Sequence, residues 1–376
     1  MTLVYPATED QVVNDRARLH ALVIGVANYP HLLGGNGAPA SDALNLGQVT
    51  TPQPTALAIV DWLRNSFRNP NKPLGSIELL LSPSAQPLAG AAVPPGVETA
   101  TYANIRSAFK RWLQRCSSHR DNIAFLYFCG HGLAREDQFI LPEDFRDPAE
   151  PDPWANCINF DTTRVGMRAC QAQTQIFFVD ACRETPFGML VEEPQGQRLI
   201  ASKVGDSVQC TATYYATTEG KQAFGPPDGV TYFGQAVIQS LNGLASWRSN
   251  GAWVVSTSSL AKSLVEVMSH YADRYQQPLA CNPNVSNQGL LHEPNSAAVL
   301  ACIRCSSPAA TAAADIQMRR SGKVLTSAIG DLKPMVCTVE PGEWEFVVTF
   351  PTQAFPPVQP MKDTLMPGVY YGVPLP

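Results

Sequence analysis

Charged residues and long apolar runs are scarce in this chain of 376 residues. Charged side chains make up 16%, and 27 basic against 32 acidic residues leave a net charge of −5. This composition predicts no basic surface for nucleic acid or for an anionic membrane. No apolar run approaches the ~18 residues that span a bilayer, and the amino terminus lacks the basic and apolar regions of a signal peptide. We therefore expect a cytoplasmic protein that binds neither nucleic acid nor membrane.

Proline is abundant instead, with 32 Pro beside 26 Gly, which favours long loops. Seven prolines fall within 351–376, so this tail is expected to be an extended arm on the body or disordered. The ten cysteines are scattered, several of them inside apolar runs, as expected for reduced thiols. Cys302 and Cys305 form a CxxC pair, but the other cysteine spacings fit no zinc site. Core packing is the preferred interpretation of that pair.

Strands and helices alternate through the first 280 residues. Continuous apolar runs, typical of strands buried on both faces, occupy 21–29, 76–81, 122–130, 174–182 and 211–218. Helical periodicity occupies 54–67, 101–116, 232–243 and 260–275. This alternation predicts an α/β fold with a doubly wound, mostly parallel sheet flanked by helices.

The composition and the hydrophobic pattern of the sequence change after residue 280. A connector rich in Pro, Asn and Gly covers 281–295, and short strand-like segments follow in 296–350. We expect a small C-terminal all-β domain at 296–350, attached to the α/β domain at 1–280.

Two chemically active side chains follow consecutive predicted strands. The strand NIAFLYFCG leads directly to His131, and TQIFFVDAC ends in Cys182. Because the carboxyl ends of parallel strands meet at one sheet edge, a thiol nucleophile and an imidazole base are expected to lie together there. A main-chain N–H beside His131, which glycines flank, and that of Cys182 could then stabilise an oxyanion.

The segments FCGHG and, about fifty residues later, FVDACR resemble the caspase-like cysteine peptidases, especially the bacterial, metacaspase and paracaspase branches. ALVIGVANYP, YYATTEGKQAF and TYFGQAVIQSLNG resemble further parts of that fold, so the resemblance covers about 19–280. It implies a large-subunit-like part to about 183, a linker at about 184–209 and a small-subunit-like part at about 210–280. The segment after 296 resembles no family that we can name.

The resemblance implies a cysteine endopeptidase with Cys182 as nucleophile, His131 as base, and the Gly132 and Cys182 N–H groups as the oxyanion hole. Asp180 stands where true caspases have Gln, which implies a pocket for Arg or Lys before the scissile bond. A second pocket carboxylate is assigned to Asp42, in a Ser-Asp-Ala segment that resembles a helix start. An alternative alignment starts that helix near residue 56 and puts Thr55 at this position.

The resemblance also suggests regulation. Arg198 and Lys203 lie in the linker and are candidate self-cleavage sites of a zymogen, which an activating protease or a regulatory protein would switch on in a bacterial defence or cell-death pathway. No cofactor is expected to be required; because some metacaspases need calcium, Asp144 and Asp147 are weak calcium candidates, although their segment favours a solvated loop. The alternative function is a catalytically silent scaffold whose β domain recruits a partner.

Overall fold

The computed structural model describes residues 2–6, 16–83, 96–192, 194–201, 208–326, 335–352 and 355–372. Up to residue 285 its elements are β1 (Leu3–Tyr5), β2 (Leu19–Val26), α1 (Pro52–Asn65), β3 (Leu74–Ser82), α2 (Tyr102–Cys116), β4 (Ile123–Cys129), β5 (Gly132–Ala134), β6 (Gln138–Ile140), β7 (Ile158–Asn159), α3 (Phe160–Gly166), β8 (Thr174–Asp180), α4 (Phe187–Glu192), β9 (Cys210–Tyr215), α5 (Tyr232–Gln239), β10 (Trp247–Ser249), β11 (Ala252–Ser256), α6 (Thr257–Tyr275) and β12 (Asn282–Val285). Then follow β13 (Leu290–His292), β14 (Val299–Ile303), α7 (Pro308–Ala313), β15 (Asp315–Arg320), β16 (Lys323–Thr326), β17 (Met335–Val339), β18 (Gly342–Thr349), β19 (Met361–Leu365) and β20 (Gly368–Tyr371).

A seven-stranded sheet with the order β1-β3-β2-β4-β8-β9-β12 forms the centre of the α/β domain. The five inner strands run parallel, whereas β1 and β12 pair antiparallel at the two edges. Every residue of β2, β4 and β8 is buried, as the continuous apolar runs predict. The predicted doubly wound, mostly parallel sheet is thus confirmed.

Helices cover both faces of this sheet. The apolar sides of α1, α5 and α6 pack on one face, and those of α2 and α3 pack on the other. In α2 the buried side chains include Ile105, Phe109 and Trp112, which recur at helical spacing. Thr101 caps this helix by accepting a hydrogen bond from the Asn104 N–H at 3.3 Å.

Helix α1 begins later than the Ser-Asp-Ala segment suggests. Its first residue is Pro52, a residue favoured there because proline has no N–H to leave unpaired. Residues 43–51 form a loop, which corrects the prediction that Asp42 opens the helix. Thr55 lies in the first turn of α1, as in the alternative alignment.

In its described residues, the C-terminal domain contains two small sheets. One has the order β17-β14-β20, the other β16-β15-β18-β19, and Trp344 and Phe346 are buried in the core between them. Strand β14 has two apolar faces: Ala301 packs in this core, whereas Leu300 packs in the core that contains α6. The β domain therefore shares a buried face with the α/β domain.

Two predicted boundaries need correction. The connector at 281–295 contributes β12 to the edge of the central sheet and β13 to a small sheet with β11. The tail at 351–376 contributes β19 and β20, so the β domain extends beyond 350 to at least 371, and it includes the short helix α7. Prolines such as Pro360 and Pro367 lie just outside these strands, and their number made the sequence of the tail resemble an extended arm.

Among the described residues, no helix has the length and apolarity needed to cross a membrane.

Candidate active site

Two neighbouring parallel strands bring the predicted catalytic residues together. Strands β4 and β8 pair with Cys129 opposite Asp180. His131 follows the end of β4 by two residues, and Cys182 follows the end of β8 by two residues. Both side chains and Gly132 therefore line one cleft of about 870 Å³.

The imidazole of His131 is held through Nε2, which lies 2.6 Å from the carbonyl oxygen of Gly47. The main-chain N–H of His131 donates to the Tyr29 hydroxyl at 2.7 Å. Because a carbonyl can only accept, Nε2 must carry the proton, and in the neutral ring the lone pair is then on Nδ1. Burial lowers the pKa of His131, and the Gly47 carbonyl partly opposes this shift. The ring is thus a neutral base near pH 7.

The thiol of Cys182 is partly exposed and accepts a hydrogen bond from the Ala223 N–H at 3.3 Å. Burial raises its pKa; the Ala223 N–H opposes this, and the carboxylates of Glu184 and Asp180 add to it. Cys182 therefore rests as a thiol, and attack requires a base to remove its proton. His131 lines the same cleft, and its role as that base stays a prediction.

Glycine is required beside the imidazole. A Cβ atom at Gly132 would lie 2.7 Å from Cβ of Ala181 and 2.8 Å from the carbonyl oxygen of Cys182. The chain can therefore pass this close to Ala181 and Cys182 only without a side chain. The oxyanion role of the Gly132 and Cys182 N–H groups remains a prediction.

Asp180 is buried and does not line the cleft. The residue is 2% exposed, and its Oδ2 accepts hydrogen bonds from the hydroxyls of Tyr127 at 2.8 Å and Thr231 at 2.5 Å. Its Oδ1 is buried without a hydrogen-bond partner among the described residues. Burial raises the pKa of Asp180 to about 6, opposed by the hydrogen bonds from Thr231 and Tyr127. In this conformation Asp180 cannot contact a substrate.

Asp42 and Thr55 occupy different places. The Oγ1 of Thr55 accepts the Thr231 N–H at 2.9 Å, so Thr55 belongs to the buried network around Asp180. Asp42 is exposed in the cleft, where its Oδ1 accepts the Leu44 N–H at 2.8 Å. Asp42 and Asp180 therefore do not form one pocket in this structure.

The cleft itself is acidic. The carboxylates of Asp42 and Glu184 line it, and no lysine or arginine is among the described residues that do so. Glu184 accepts a hydrogen bond from the Gln222 amide at 2.9 Å. Phe187, which is 81% exposed, adds an apolar surface to the same cleft.

The segment after Cys182 folds back onto the body of the domain. The main chain of Gln197 pairs with Cys157 and Asn159 through hydrogen bonds of 2.6 and 2.9 Å. The adjacent Arg198 is exposed, but the main chain beside it is held by these two hydrogen bonds. Lys203 lies outside the described residues, so both cleavage positions remain predictions.

The two calcium candidates have structural partners. Asp144 accepts the Tyr102 N–H at 2.7 Å near the start of α2, and burial raises the pKa of its carboxyl. Asp147 accepts the Ala149 N–H at 2.9 Å and lies 3.8 Å from the His31 ring. In the described parts of the chain, no group of three or more His, Cys, Asp or Glu side chains is arranged to hold a metal ion.

Sequence reasoning missed the loop residues that contact His131 and Cys182. The carbonyl of Gly47 and the N–H of Ala223 act through the main chain, which every residue possesses, so residue type gave no signal. For Tyr29 the available signal was its position just beyond the first predicted strand, where functional side chains gather.

Comparison with known proteins identifies the family of this chain. Residues 18–281 match the caspase domain of peptidase family C14. An uncharacterized protein, y4kE, from Sinorhizobium fredii is 29% identical over 211 residues, which cover 54% of this chain and 56% of that protein. A probable protease from a Desulfuromonadales bacterium is 28% identical over 174 residues, covering 44% of this chain and 18% of that protein. The matches thus span only part of each relative's length.

Among solved structures, caspase-1 from Spodoptera frugiperda matches with 12% identity and a TM-score of 0.41, covering 73% of this chain and 91% of that one. Protein GSU0716 from Geobacter sulfurreducens also has 12% identity and a TM-score of 0.41, covering 74% and 98%. The family match covers most of the chain, including both strand-end motifs and the cleft between them. The chain therefore belongs to the caspase domain family of cysteine peptidases.

Proposed function

We propose that this protein is a cysteine endopeptidase that hydrolyses peptide bonds after Arg or Lys. The observation that carries the proposal is the placement of Cys182 and His131 in one cleft, with Nε2 of the imidazole held by the Gly47 carbonyl. The retained pair favours a peptidase over a silent scaffold, because a scaffold has no need of either side chain.

The chemistry follows from the protonation states. Nδ1 of His131 accepts the thiol proton as Sγ of Cys182 attacks the substrate carbonyl. The N–H groups of Gly132 and Cys182 stabilise the resulting oxyanion. The imidazolium then protonates the leaving amine, which leaves an acyl-thioester on Cys182. Water, deprotonated by the same imidazole, releases the acid and regenerates the thiol.

The preference for a basic residue rests on charge. Asp42 and Glu184 give the cleft a negative potential without a compensating cation among the described lining residues. Asp180 is buried two residues before Cys182, with its Oδ1 unpartnered among the described residues, so a guanidinium or ammonium group could bind there once Thr231 withdraws. This arrangement supports a resting zymogen in which the specificity pocket is closed.

Activation would therefore move the segment that carries Thr231 and Ala223. Proteolysis in the linker, near Arg198 or Lys203, or binding of a regulatory protein would supply the trigger, in a pathway such as bacterial defence or cell death. Because the main chain beside Arg198 is held by hydrogen bonds, cleavage there first requires this part of the linker to detach.

The test compares fluorogenic peptides ending in Arg, Lys or Asp on the wild type, Cys182→Ala and His131→Ala, with and without calcium. Cys337→Ala is the matched control, since this thiol is also partly exposed but lies in the β domain. We expect cleavage after Arg and Lys that both active-site variants abolish. Cleavage after Asp would refute the pocket assignment, and turnover by Cys182→Ala would refute the mechanism. If the intact wild type is inactive, limited digestion with trypsin should activate it; continued inactivity after the linker is cut contradicts the peptidase proposal.

A further inference from the structure

The side chain of Gln48 pairs with the main chain of Tyr29 as a neighbouring strand would. Its Oε1 accepts the Tyr29 N–H at 2.8 Å, and its Nε2 donates to the Tyr29 carbonyl at 2.8 Å. The same Nε2 also donates to the Leu33 carbonyl at 3.2 Å. Three hydrogen bonds thus fix the residue that directly follows Gly47.

These contacts close a ring around the catalytic imidazole. Tyr29 binds Gln48 through its main chain and His131 through its hydroxyl, which accepts the His131 N–H at 2.7 Å. Gln48 in turn fixes Gly47, whose carbonyl lies 2.6 Å from Nε2 of His131. The Tyr29 hydroxyl is itself oriented by donating to the Leu141 carbonyl at 3.2 Å.

We propose that Gln48 is a positioning residue of the peptidase: it holds the Gly47 carbonyl on Nε2 of His131 and thereby keeps the neutral ring in the tautomer whose Nδ1 is free to act as base. Gln48 acts only through Gly47 and Tyr29, and it is not among the residues that line the cleft. This inference rests on the proposed function for its kinetic part, whereas its tautomer part concerns the resting protein alone.

The loop that carries Gly47 and Gln48 has few other restraints. Residues 43–51 form no helix or strand, although the Leu33 N–H donates to the Leu46 carbonyl at 3.0 Å and the Val49 N–H donates to the Ala27 carbonyl at 3.3 Å. Without the Gln48 amide, the Gly47 carbonyl can turn from the imidazole by rotation of its peptide plane. Nε2 then loses its acceptor, and either ring nitrogen can carry the proton.

The variant that isolates this role is Gln48→Glu. A carboxylate of the same shape can still accept the Tyr29 N–H, but it cannot donate to the carbonyls of Tyr29 and Leu33. Gln48→Ala removes all three hydrogen bonds. Asn36→Ala is the control, because this amide is exposed in the same connection between β2 and α1.

The kinetic measurement separates positioning from substrate binding. We expect kcat for an Arg peptide to fall on the order of ten- to a hundredfold in Gln48→Glu, with KM changed less than about twofold. Asn36→Ala should behave as the wild type. An unchanged kcat in Gln48→Glu, or an equal loss of kcat in Asn36→Ala, would overturn the proposal.

The second measurement does not need turnover. In full-length protein labelled with ¹⁵N-histidine, the one-bond N–H coupling of His131 should appear at Nε2 in the wild type and shift in part to Nδ1 in Gln48→Glu. His131→Ala identifies the signal. A wild-type tautomer that persists in both Gln48 variants refutes the positioning role, even if the wild type proves inactive on every peptide. A shifted tautomer in an inactive protein supports the positioning role while the peptidase proposal fails separately.

Discussion

The buried carboxyl of Asp180 gives a pH-dependent prediction about stability. Its pKa is raised from 3.8 to about 6 because the group is buried, against the opposing hydrogen bonds from Thr231 and Tyr127. The folded state therefore holds the proton more tightly than the unfolded state. The stability contributed by the neutral carboxyl is complete below pH 3.8 and is lost as the pH rises through about 6. The gap between these pKa values corresponds to about 3 kcal/mol.

The isosteric variant Asp180→Asn measures this contribution, since its amide cannot ionise. The free energy of unfolding of the wild type minus that of the variant should fall by about 3 kcal/mol between pH 3.5 and pH 7.5. Urea titrations followed by tryptophan fluorescence at each pH provide both values, and effects of other ionising groups cancel in the difference.

A variant of the neighbouring hydroxyl provides the internal check. Thr231→Val removes a donor that lowers the pKa of Asp180, so the loss of stability should move to higher pH. A difference between wild type and Asp180→Asn that stays flat across this pH range, or that grows with pH, would refute the reasoning.

Other substitutions test the cleft and the β domain. Gly132→Ala places a Cβ atom 2.7 Å from Cβ of Ala181, so it should lower the free energy of unfolding by about 1–3 kcal/mol and reduce kcat; wild-type kinetics would contradict the close approach. Asp42→Asn combined with Glu184→Gln should raise KM for an Arg peptide about three- to tenfold at low salt and much less at 0.5 M salt; a KM insensitive to both changes would exclude their role. Trp344→Ala should destabilise the protein by about 3–5 kcal/mol in chemical denaturation, because this side chain is 2% exposed; a loss below about 1 kcal/mol would contradict its place in the core.

The sequence was informative wherever a residue type has a strong physical preference. Continuous apolar runs indicated the inner parallel strands, and the His131 and Cys182 positions followed from where those strands end. The start of α1 could also have been found, because Pro52 at the first helical position is a known signal that outweighs the Ser-Asp-Ala resemblance.

Other features of the fold and of the site could not be predicted, because they depend on long-range packing and main-chain geometry, which residue type does not reveal. Strands such as β19 and β20 are short, lie among prolines and are selected by partners far away in the chain. Whether Asp180 opens into the cleft depends on how the segment with Thr231 packs. The acceptor for His131 is a carbonyl, so only the folded loop identifies Gly47.

The final strands of the chain reach both sheets of the β domain. Strand β19 pairs with β18 in one sheet, and β20 runs parallel to β14 in the other. A truncation before residue 361 would remove Leu365 from the core. It would also leave one edge of β14 and one edge of β18 without a partner strand. It would also remove the strand that contacts α6 of the peptidase domain. Strands β19 and β20 thus attach to both small sheets, and deletion of residues 361–376 should produce aggregation rather than a shorter folded protein.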